Sequence, residues 1–256
     1  MDLRRLEEIA LNASGPANPR LYDGWVLGFT PGKAKRGRSV NPFYGSTLPL
    51  EEKLEHCRAL YETAGLPFVI RLTPFAHPAD LEDTLAARGW GRFDDTLVMT
   101  RSLADFDEQP AALPHGWHLH DHDLYDWHTE VARIRGVGED QMRRTLDRLD
   151  LLRAQGCGMV LRHKGEIAGW GMVQCEDGQA GIYSIETLAK FRRNGYGRML
   201  VVALLQWARR HGATQSYLQV TAENAAALPL YGALGFTEAY RYWYRALPEV
   251  IELERG

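Results

Sequence analysis

The sequence contains few cysteines for its 256 residues. Its three cysteines, Cys57, Cys157 and Cys175, are odd in number and widely separated. They therefore form neither a disulfide framework nor the paired Cys-x-x-Cys spacing of a zinc site. We predict that they are small buried side chains.

Long apolar runs and a large excess of one charge are also missing. No apolar stretch approaches the roughly 20 residues that span a bilayer, and acidic residues occur near the start, where a secretion signal has its apolar region. The 30 Lys and Arg against 33 Asp and Glu give a net charge of −3. This balance excludes a protein whose main role is to coat nucleic acid or an acidic membrane. We expect a cytoplasmic globular protein without nucleic-acid or membrane partners.

An acidic segment with two prolines, residues 103–114, is the best candidate for a linker. It predicts an N-terminal domain over residues 1–112 and a C-terminal domain over residues 113–256. Each half has the predicted order strand, helix, strand, helix, Gly-aromatic pair and strand, with Gly89-Trp90 and Gly235-Phe236 as the pairs. This order predicts an internal duplication. The alternative is that strand–helix alternation is common in α/β proteins.

The turn Arg192-Arg193-Asn194-Gly195-Tyr196-Gly197 lies between a predicted strand and a predicted helix. Glycines allow a tight turn, and the free amides at a helix start favour phosphate oxygens. A ligand with a pyrophosphate group fits such a turn. The dinucleotide fingerprint GxGxxG and the P-loop GxxxxGK[ST] are both absent. Taken alone, the turn is equally consistent with a simple helix entry.

A second pattern follows one strand later. Asn224 and Tyr231 are seven residues apart, and a helix over residues 224–234 would place them on nearly the same side. Pro229 lies inside this predicted helix, so we expect a local kink there.

Together these residues resemble the GNAT superfamily of acyl-CoA-dependent N-acyltransferases. Arg192-x-x-Gly195-x-Gly197 matches its phosphate-binding motif, and Glu223-Asn224…Leu230-Tyr231…Leu234-Gly235-Phe236 matches its second motif; the resemblance covers about residues 115–246. It implies an α/β fold with a mixed, mostly antiparallel sheet flanked by helices, preceded by a smaller GNAT-like domain. The N-terminal half looks like a degenerate copy, because it lacks RxxGxG before its first helix and has Leu85 where the second half has Tyr231.

The resemblance also implies roles for individual residues. The strand before the motif holds the acyl-pantetheine arm, and the amide of Thr187 polarises the thioester carbonyl. Asn224 hydrogen-bonds the pantetheine arm, Tyr231 protonates the departing thiolate, and Glu186 is our best candidate for the base. The predicted acetyl-CoA-binding residues are Thr187, Leu188, Arg192, Arg193, Asn194, Gly195, Tyr196, Gly197, Arg198 and Asn224.

Each role has a structural alternative. Tyr231 could be a packing aromatic, Asn224 a helix cap and Arg192 a brace for the turn. Glu186 could be a solvated or salt-bridged residue. The motif also departs from the family pattern, since residues 188–191 lack the usual hydrophobic-x-proline and Arg193 stands where a small residue is common.

Two further charged groups are weaker candidates. Five histidines between residues 115 and 128 lack cysteines and alternate between strand faces, so we predict no metal site. The basic loop from Lys33 to Arg38 is typical of a solvated turn, and contact with the 3′-phosphate of CoA or with an acidic substrate is the alternative.

The predicted function is N-acetyl transfer from acetyl-CoA to a primary amine of a small molecule or peptide. A CoA-binding regulatory module without transfer activity is the alternative, and a different acyl donor is a third possibility. The sequence leaves the acceptor and the oligomeric state open, a homodimer included.

Overall fold

A computed structural model describes residues 2–16, 18–32, 34–152 and 155–255. The elements of the first half are α1 (Leu3–Ser14), β1 (Arg20–Tyr22), β2 (Trp25–Leu27), β3 (Val40–Asn41), α2 (Leu50–Thr63), β4 (Ile70–Leu72), α3 (Leu81–Ala87) and β5 (Gly91–Ser102). The elements of the second half are β6 (Trp117–His122), α4 (Leu124–Arg135), α5 (Glu139–Leu152), β7 (Gln155–His163), β8 (Glu166–Glu176), β9 (Gln179–Thr187), α6 (Tyr196–Arg210), β10 (Gln215–Thr221), α7 (Leu228–Ala233), β11 (Thr237–Ala246) and α8 (Pro248–Arg255). Within these described residues, no helix has the length and apolar character needed to cross a bilayer.

The chain divides into two compact units, and neither unit is one continuous segment. The first consists of Met1–Val98, Val220–Ala225 and Glu238–Gly256, and the second consists of Met99–Gln219 and Ala226–Thr237. The last strand of the chain therefore completes the unit that the N-terminal residues begin. The predicted division into an N-terminal domain 1–112 and a C-terminal domain 113–256 stays a prediction.

The first unit contains a mostly antiparallel sheet. Five of its strands follow the order β1-β2-β3-β4-β11. Among the described registers of these neighbours, β3–β4 is parallel and the other pairs are antiparallel. Helix α2 connects this parallel pair and buries Leu54, Cys57 and Tyr61 in one core with Trp25 and Ile70. These positions recur at helical spacing on α2, so its amphipathic pattern places it on the sheet.

The second unit has the same plan around a longer sheet. Strands β6, β7, β8 and β9 are antiparallel neighbours, and β9 and β10 form a parallel pair connected by α6. Gly171 allows α6 to approach the sheet, because a Cβ built there would lie 2.4 Å from Ile185 Cδ1 and 3.1 Å from Leu204 Cδ1. The missing side chain thus lets the middle of α6 pack closely on β8.

The turns after α3 and α7, which contain the two Gly-aromatic pairs, have matching hydrogen bonds. The N–H of Trp90 donates to the carbonyl of Leu85 at 3.1 Å, and the N–H of Phe236 donates to the carbonyl of Tyr231 at 3.0 Å. The intervening glycines, Gly89 and Gly235, have φ of 79° and 80°. A side chain with a Cβ is strained in this left-handed conformation. The two turns thus end their helices in the same way.

The predicted helix over residues 224–234 is wrong at its start. Residues 222–227 form turns, and the helix is α7 alone. Pro229 lies in its first turn, where a missing N–H costs no hydrogen bond, so the expected kink is absent from α7. Asn224 thus precedes the helix, so Asn224 and Tyr231 do not lie two turns apart on one helix.

Three elements were not predicted from the sequence: α1, β1 and α8. For α1 the signal was present, because Leu6, Ile9, Ala10 and Ala13 recur at helical spacing and are buried. The side chain of Asp2 caps the helix by accepting hydrogen bonds from two backbone amides. For β1 the exposed three-residue strand carries no alternation long enough to detect.

Candidate functional site

A β-bulge redirects the end of β9. The register with β8 shifts between Trp170 and Met172, and Ser184 has a φ of 53°. Beyond the bulge, Glu186 pairs with Trp170 and Thr187 with Gly169. The parallel pairing with β10, as the described residues show it, ends at Ile182, five residues before β9 ends. The end of β9 is thus no longer paired with β10 in the described residues.

The loop between β9 and α6 is braced from within. The N–H of Leu188 donates to the Ala168 carbonyl at 2.9 Å, and the Leu188 carbonyl accepts from the N–H of Phe191 at 2.8 Å. Arg192 Nε donates to the Thr187 carbonyl at 3.0 Å, and Asn194 Nδ2 donates to the Arg192 carbonyl at 2.9 Å. Arg192 therefore braces the turn, which is one of its two predicted roles, and Leu188 offers a ligand mainly its side chain.

An aromatic cluster supports the same loop. Trp117 of β6 stacks on Tyr196 with centroids 4.0 Å apart and on His163 at 4.5 Å, and Phe191 meets its edge at 5.3 Å. The ring of Tyr196 is thus a structural anchor at the first residue of α6. No local sequence pattern indicated this cluster, because its members come from four separate segments.

The start of α6 exposes a row of backbone amides. Among the described residues, the first N–H of this region with a helical acceptor is that of Met199, which donates to the Gly195 carbonyl at 3.1 Å. The amides of residues 193–198 have no backbone acceptor in the described structure. Arg193 and Gly195 have φ of 65° and 79°. Free amides and the positive end of the helix dipole make this turn suitable for an anion.

The side chain of Arg198 is held by the segment that precedes β6. Glu108 accepts a hydrogen bond from Arg198 Nη2 at 2.8 Å, and Gln206 Nε2 donates to the Glu108 carbonyl at 2.6 Å. Arg209 donates to the carbonyl of Phe106, whose side chain is buried. The predicted linker 103–114 is therefore fastened along α6 at these points.

Tyr231 lies in α7 with its ring largely buried. It makes an edge contact with Phe236 at a centroid distance of 6.0 Å, and its hydroxyl has no hydrogen-bond partner among the described residues. Burial raises the pKa of Tyr231 above its usual value. The phenol is therefore protonated at neutral pH and able to donate its proton.

Glu186 forms an ion pair at the end of β9. Its Oε2 accepts a hydrogen bond from Arg135 Nη2 at 3.0 Å, and each side chain is 39% exposed. The Arg135 guanidinium also lies 5.4 Å from the ring centroid of Trp170. Glu186 is thus salt-bridged, as one of its two predicted interpretations states. The role of Glu186 as a base stays a prediction.

Asn224 is the one predicted site residue that belongs to the first compact unit. Its N–H donates to the Thr221 carbonyl at 3.0 Å in the turn before α7. The other predicted site residues all belong to the second unit, and Glu186, Thr187 and the 193–198 amides lie within one short stretch of it. The predicted contact of Asn224 with the pantetheine arm stays a prediction.

The structure describes most residues of the two weaker charged groups. His118, His120 and His122 have ring centroids 6.1 and 6.5 Å apart, and the described residues contain no group of three or more metal-ligating side chains that could hold an ion. In the basic loop, Lys35 pairs with Asp94 at 2.8 Å, and Glu254 accepts from Arg38. Lys33 lies outside the described residues.

The cysteines are free thiols. Cys57 and Cys157 are buried, and Cys175 is half-buried. Burial raises the pKa of Cys57 to about 12 and that of Cys157 to about 11, so both remain protonated. The prediction of small buried side chains holds for these two residues.

In the first unit, the counterpart of the α6 turn is already filled by a carboxylate. Asp23 accepts hydrogen bonds from the N–H of Thr47 at 2.9 Å and the N–H of Leu48 at 3.0 Å, just before α2. Lys53 Nζ lies 3.1 Å from Asp23 Oδ2 and 4.1 Å from the ring centroid of Trp25. An internal carboxylate thus occupies two backbone amides of the loop before α2.

Comparisons with known proteins agree with this geometry. The family model described as "Probable histone acetyltransferase Rv0428c C-terminal" matches residues 1–245. The N-acetyltransferase YobR of Bacillus subtilis is 26% identical over 248 residues, which is 95% of this chain and 98% of the relative. The ribosomal protein bS18-alanine N-acetyltransferase of Escherichia coli is 34% identical over 79 residues, which is 31% of this chain and 53% of that protein.

Solved structures share the fold. A GCN5-related N-acetyltransferase from Kribbella flavida superposes with a TM-score of 0.66 at 15% identity over 96% of this chain and 95% of its own. A tandem GNAT protein from the clavulanic acid biosynthesis pathway has a TM-score of 0.60 at 17% identity over 81% of this chain and 74% of its own. The family model matches nearly the whole chain and therefore identifies the family. The chain is a GNAT acetyltransferase of the Rv0428c C-terminal family.

Proposed function

We propose that this enzyme transfers an acetyl group from acetyl-CoA to a primary amine of a small molecule or peptide by direct attack. One observation carries the proposal. A Cβ built on Gly197 would lie 3.7 Å from Thr187 Oγ1 and 3.8 Å from Leu230 Cδ2. The exposed amides, the bulged end of β9 and the helix that bears Tyr231 thus converge on one place.

The pyrophosphate of acetyl-CoA would accept hydrogen bonds from the amides of residues 193–198. These amides need no rearrangement to bind an anion, because Arg192, Asn194 and the stack on Tyr196 already fix the turn. Such preorganisation lowers the entropic cost of binding. The arm of the cofactor would then run toward Thr187, with Asn224 as its predicted hydrogen-bond partner.

The acyl-transfer chemistry needs an oxyanion donor, a base and an acid. The amide of Thr187 would polarise the thioester carbonyl. Glu186 would accept one proton from the acceptor ammonium once Arg135 releases it. The neutral amine then attacks the carbonyl carbon, a C–N bond forms, and the C–S bond breaks as Tyr231 protonates the thiolate.

The protons of the reaction balance without a covalent intermediate. Of the three protons on the ammonium, one remains on the amide nitrogen and two leave through Glu186 or solvent. One proton re-protonates Tyr231, so each turnover releases one net proton. The raised pKa of Tyr231 keeps it in the acid form that this step requires.

The first unit supports only a non-catalytic role in this scheme. Its equivalent turn holds the carboxylate of Asp23 instead of a phosphate, and Leu85 stands where the second unit has Tyr231. We therefore propose one acetyl-CoA site per chain. The free thiols at Cys57 and Cys157 fit a reducing compartment such as the cytoplasm.

The test is release of CoA in the presence of acetyl-CoA and a panel of amines, followed with a thiol reagent. The panel contains free amino acids, amino-acid amides, polyamines and a lysine-rich peptide. We expect release that depends on the acceptor and an acetylated product of matching mass. Acetyl-CoA binding without acceptor-dependent release across the panel would favour the regulatory-module alternative. Faster turnover with succinyl-CoA than with acetyl-CoA would correct the acyl donor.

A further inference from the structure

A positive and a negative side chain are in direct contact at the end of β9. Arg135 is the last residue of α4, and Glu186 lies one residue before Thr187 at the end of β9. Their single hydrogen bond of 3.0 Å joins two side chains that are each 39% exposed. Exposed pairs of this kind contribute little to stability, so a charged ligand can exchange with either partner at low cost.

The floor beneath this pair has an unused hydrogen-bond donor. Trp170 is the cross-strand neighbour of Glu186, and directly opposed side chains share one face of an antiparallel pair. Its ring lies under the Arg135 guanidinium, and Trp170 is only 1% exposed. Its indole Nε1 has no partner among the described residues. A buried donor without an acceptor is costly, and most such donors are paired.

Two acidic side chains of the helices next to Arg135 in sequence are already paired. Glu130 of α4 accepts from Arg162, and Asp140 of α5 accepts from Arg143. These two carboxylates therefore offer little to a strongly basic peptide, which needs a surface with excess negative charge.

We propose, on the basis of the proposed function, that the acceptor is a small molecule with a carboxylate next to its amine, as in a free α-amino acid. The ammonium group replaces Arg135 on Glu186, and the carboxylate takes the guanidinium of Arg135. The Trp170 N–H is an additional donor on the carboxylate side. Because the ammonium and carboxylate of an α-amino acid are adjacent, they match two protein groups that touch each other in the free enzyme. Arg135 thereby determines specificity, and Glu186 receives the proton of the amine that reacts.

The experiment compares matched acceptors. The values of kcat/KM for acceptor-dependent CoA release are measured for common L-amino acids and for the carboxamide of each, which keeps the amine and removes the negative charge. We expect the best free acid to exceed its amide by about tenfold or more, which corresponds to one charge-assisted hydrogen bond. A lysine-rich peptide serves as the basic acceptor in the same series.

Three variants assign the preference to Arg135. Arg135→Gln is expected to reduce the acid-to-amide ratio at least tenfold with an unchanged Kd for acetyl-CoA, and Arg135→Lys is expected to keep part of the ratio. Arg133→Gln is the control, because Arg133 is an exposed residue of the same helix and its replacement makes the same change in charge. A ratio near one in Arg133→Gln would show that net charge, and not Arg135, sets the preference.

The outcomes separate the inference from the proposed function. Amides or the peptide used as well as free acids by the unmodified enzyme would overturn the inference and leave amine acetylation intact. An acid preference that Arg135→Gln retains would also overturn it. Absence of acceptor-dependent release from every amine would contradict the proposed function itself, and the inference with it.

Discussion

Tyr231 combines three properties that a proton donor to a thiolate needs. Its ring is held by burial and by Phe236, its hydroxyl has no hydrogen-bond partner among the described residues, and its pKa is raised by burial. A packing aromatic needs only the first property. The unengaged hydroxyl is the feature that favours the catalytic interpretation over the structural one.

Removing this hydroxyl should therefore affect chemistry and not binding. We expect Tyr231→Phe to lower kcat by about a hundredfold, the lower end of the usual contribution of general acid–base catalysis. The Kd for acetyl-CoA should change by less than about twofold, because the ring that packs is retained. Stopped assays of CoA release and calorimetry measure the two quantities.

Tyr196→Phe is the matched control, since Tyr196 is anchored by ring stacking on Trp117 and its hydroxyl has no predicted role in chemistry. Its kcat should stay near that of the unmodified enzyme. A large loss of acetyl-CoA affinity in Tyr231→Phe would assign Tyr231 a structural role.

The position of the 193–198 amides depends on the left-handed conformation of Gly195. Its φ of 79° is strained for a residue with a Cβ, so Gly195→Ala should shift the turn at a cost of about 1 to 2 kcal/mol. We expect the Kd for acetyl-CoA to rise about tenfold in calorimetry.

Gly212 has a φ of 89° at the other end of α6 and provides a control with the same strain. Gly212→Ala should lose similar stability in thermal unfolding while binding acetyl-CoA normally. Equal losses of affinity in both variants would mean that helix stability, and not the amide row, controls binding.

At the scale of elements, α6 is the helix that both organises the site and holds the preceding segment. Glu108 from that segment pairs with Arg198 in the first turn of α6, where a phosphate would also be attracted. The internal carboxylate and the ligand therefore compete for one guanidinium. We therefore expect the chain to bind acetyl-CoA more weakly than it would without the Glu108–Arg198 pair.

Glu108→Gln should consequently strengthen acetyl-CoA binding. The pair is partly exposed, so the expected gain is about two- to fivefold in Kd. Asp140→Asn removes a carboxylate from an ion pair on α5 and should leave the Kd unchanged. Weaker binding in Glu108→Gln would mean that Glu108 orients Arg198 for the ligand instead of competing with it.

The sequence predicted those elements that carry strong local signals. The glycine turn, the amphipathic pattern of α6 and the Gly-aromatic pairs each depend on neighbouring residues, and all were found where expected. The start of α7 was wrong because Pro229 fits the first turn of a helix as well as an interior kink. The β9 bulge, the stack on Trp117 and the Arg135–Glu186 pair depend on residues distant in sequence, so no local pattern could reveal them.

At the scale of the whole molecule, the two units have diverged at equivalent turns. One turn presents amides at the start of α6, and in the other the amides of Thr47 and Leu48 donate to Asp23. Hydrogen bonds from the backbone of Leu48 and from Thr47 hold the pKa of Asp23 well below its usual range. The Asp23 carboxylate has thus become part of the fold of the first unit.

This lowered pKa predicts a specific pH dependence of stability. Since the folded pKa lies below the unfolded value of about 3.9, the contribution of Asp23 is complete above that pH and is lost as the pH falls through the folded pKa. Asp23→Asn should therefore be less stable than the unmodified chain at pH 7, and the difference should shrink toward pH 3. Urea unfolding at the two pH values measures it.

Asp83→Asn is the control, because Asp83 is an exposed residue of α3 in the same unit. It should show no comparable change in the stability difference between the two pH values. A pH-independent difference for Asp23→Asn would mean that the amide side chain replaces the carboxylate fully in this turn.

The most direct test of the account is calorimetric titration of the chain with acetyl-CoA, because phosphate binding at one of two related turns is its central claim. We predict saturable binding with one acetyl-CoA per chain, weakened in Gly195→Ala and retained in Gly212→Ala. Absence of binding at millimolar acetyl-CoA, or two equivalent sites per chain, would contradict it.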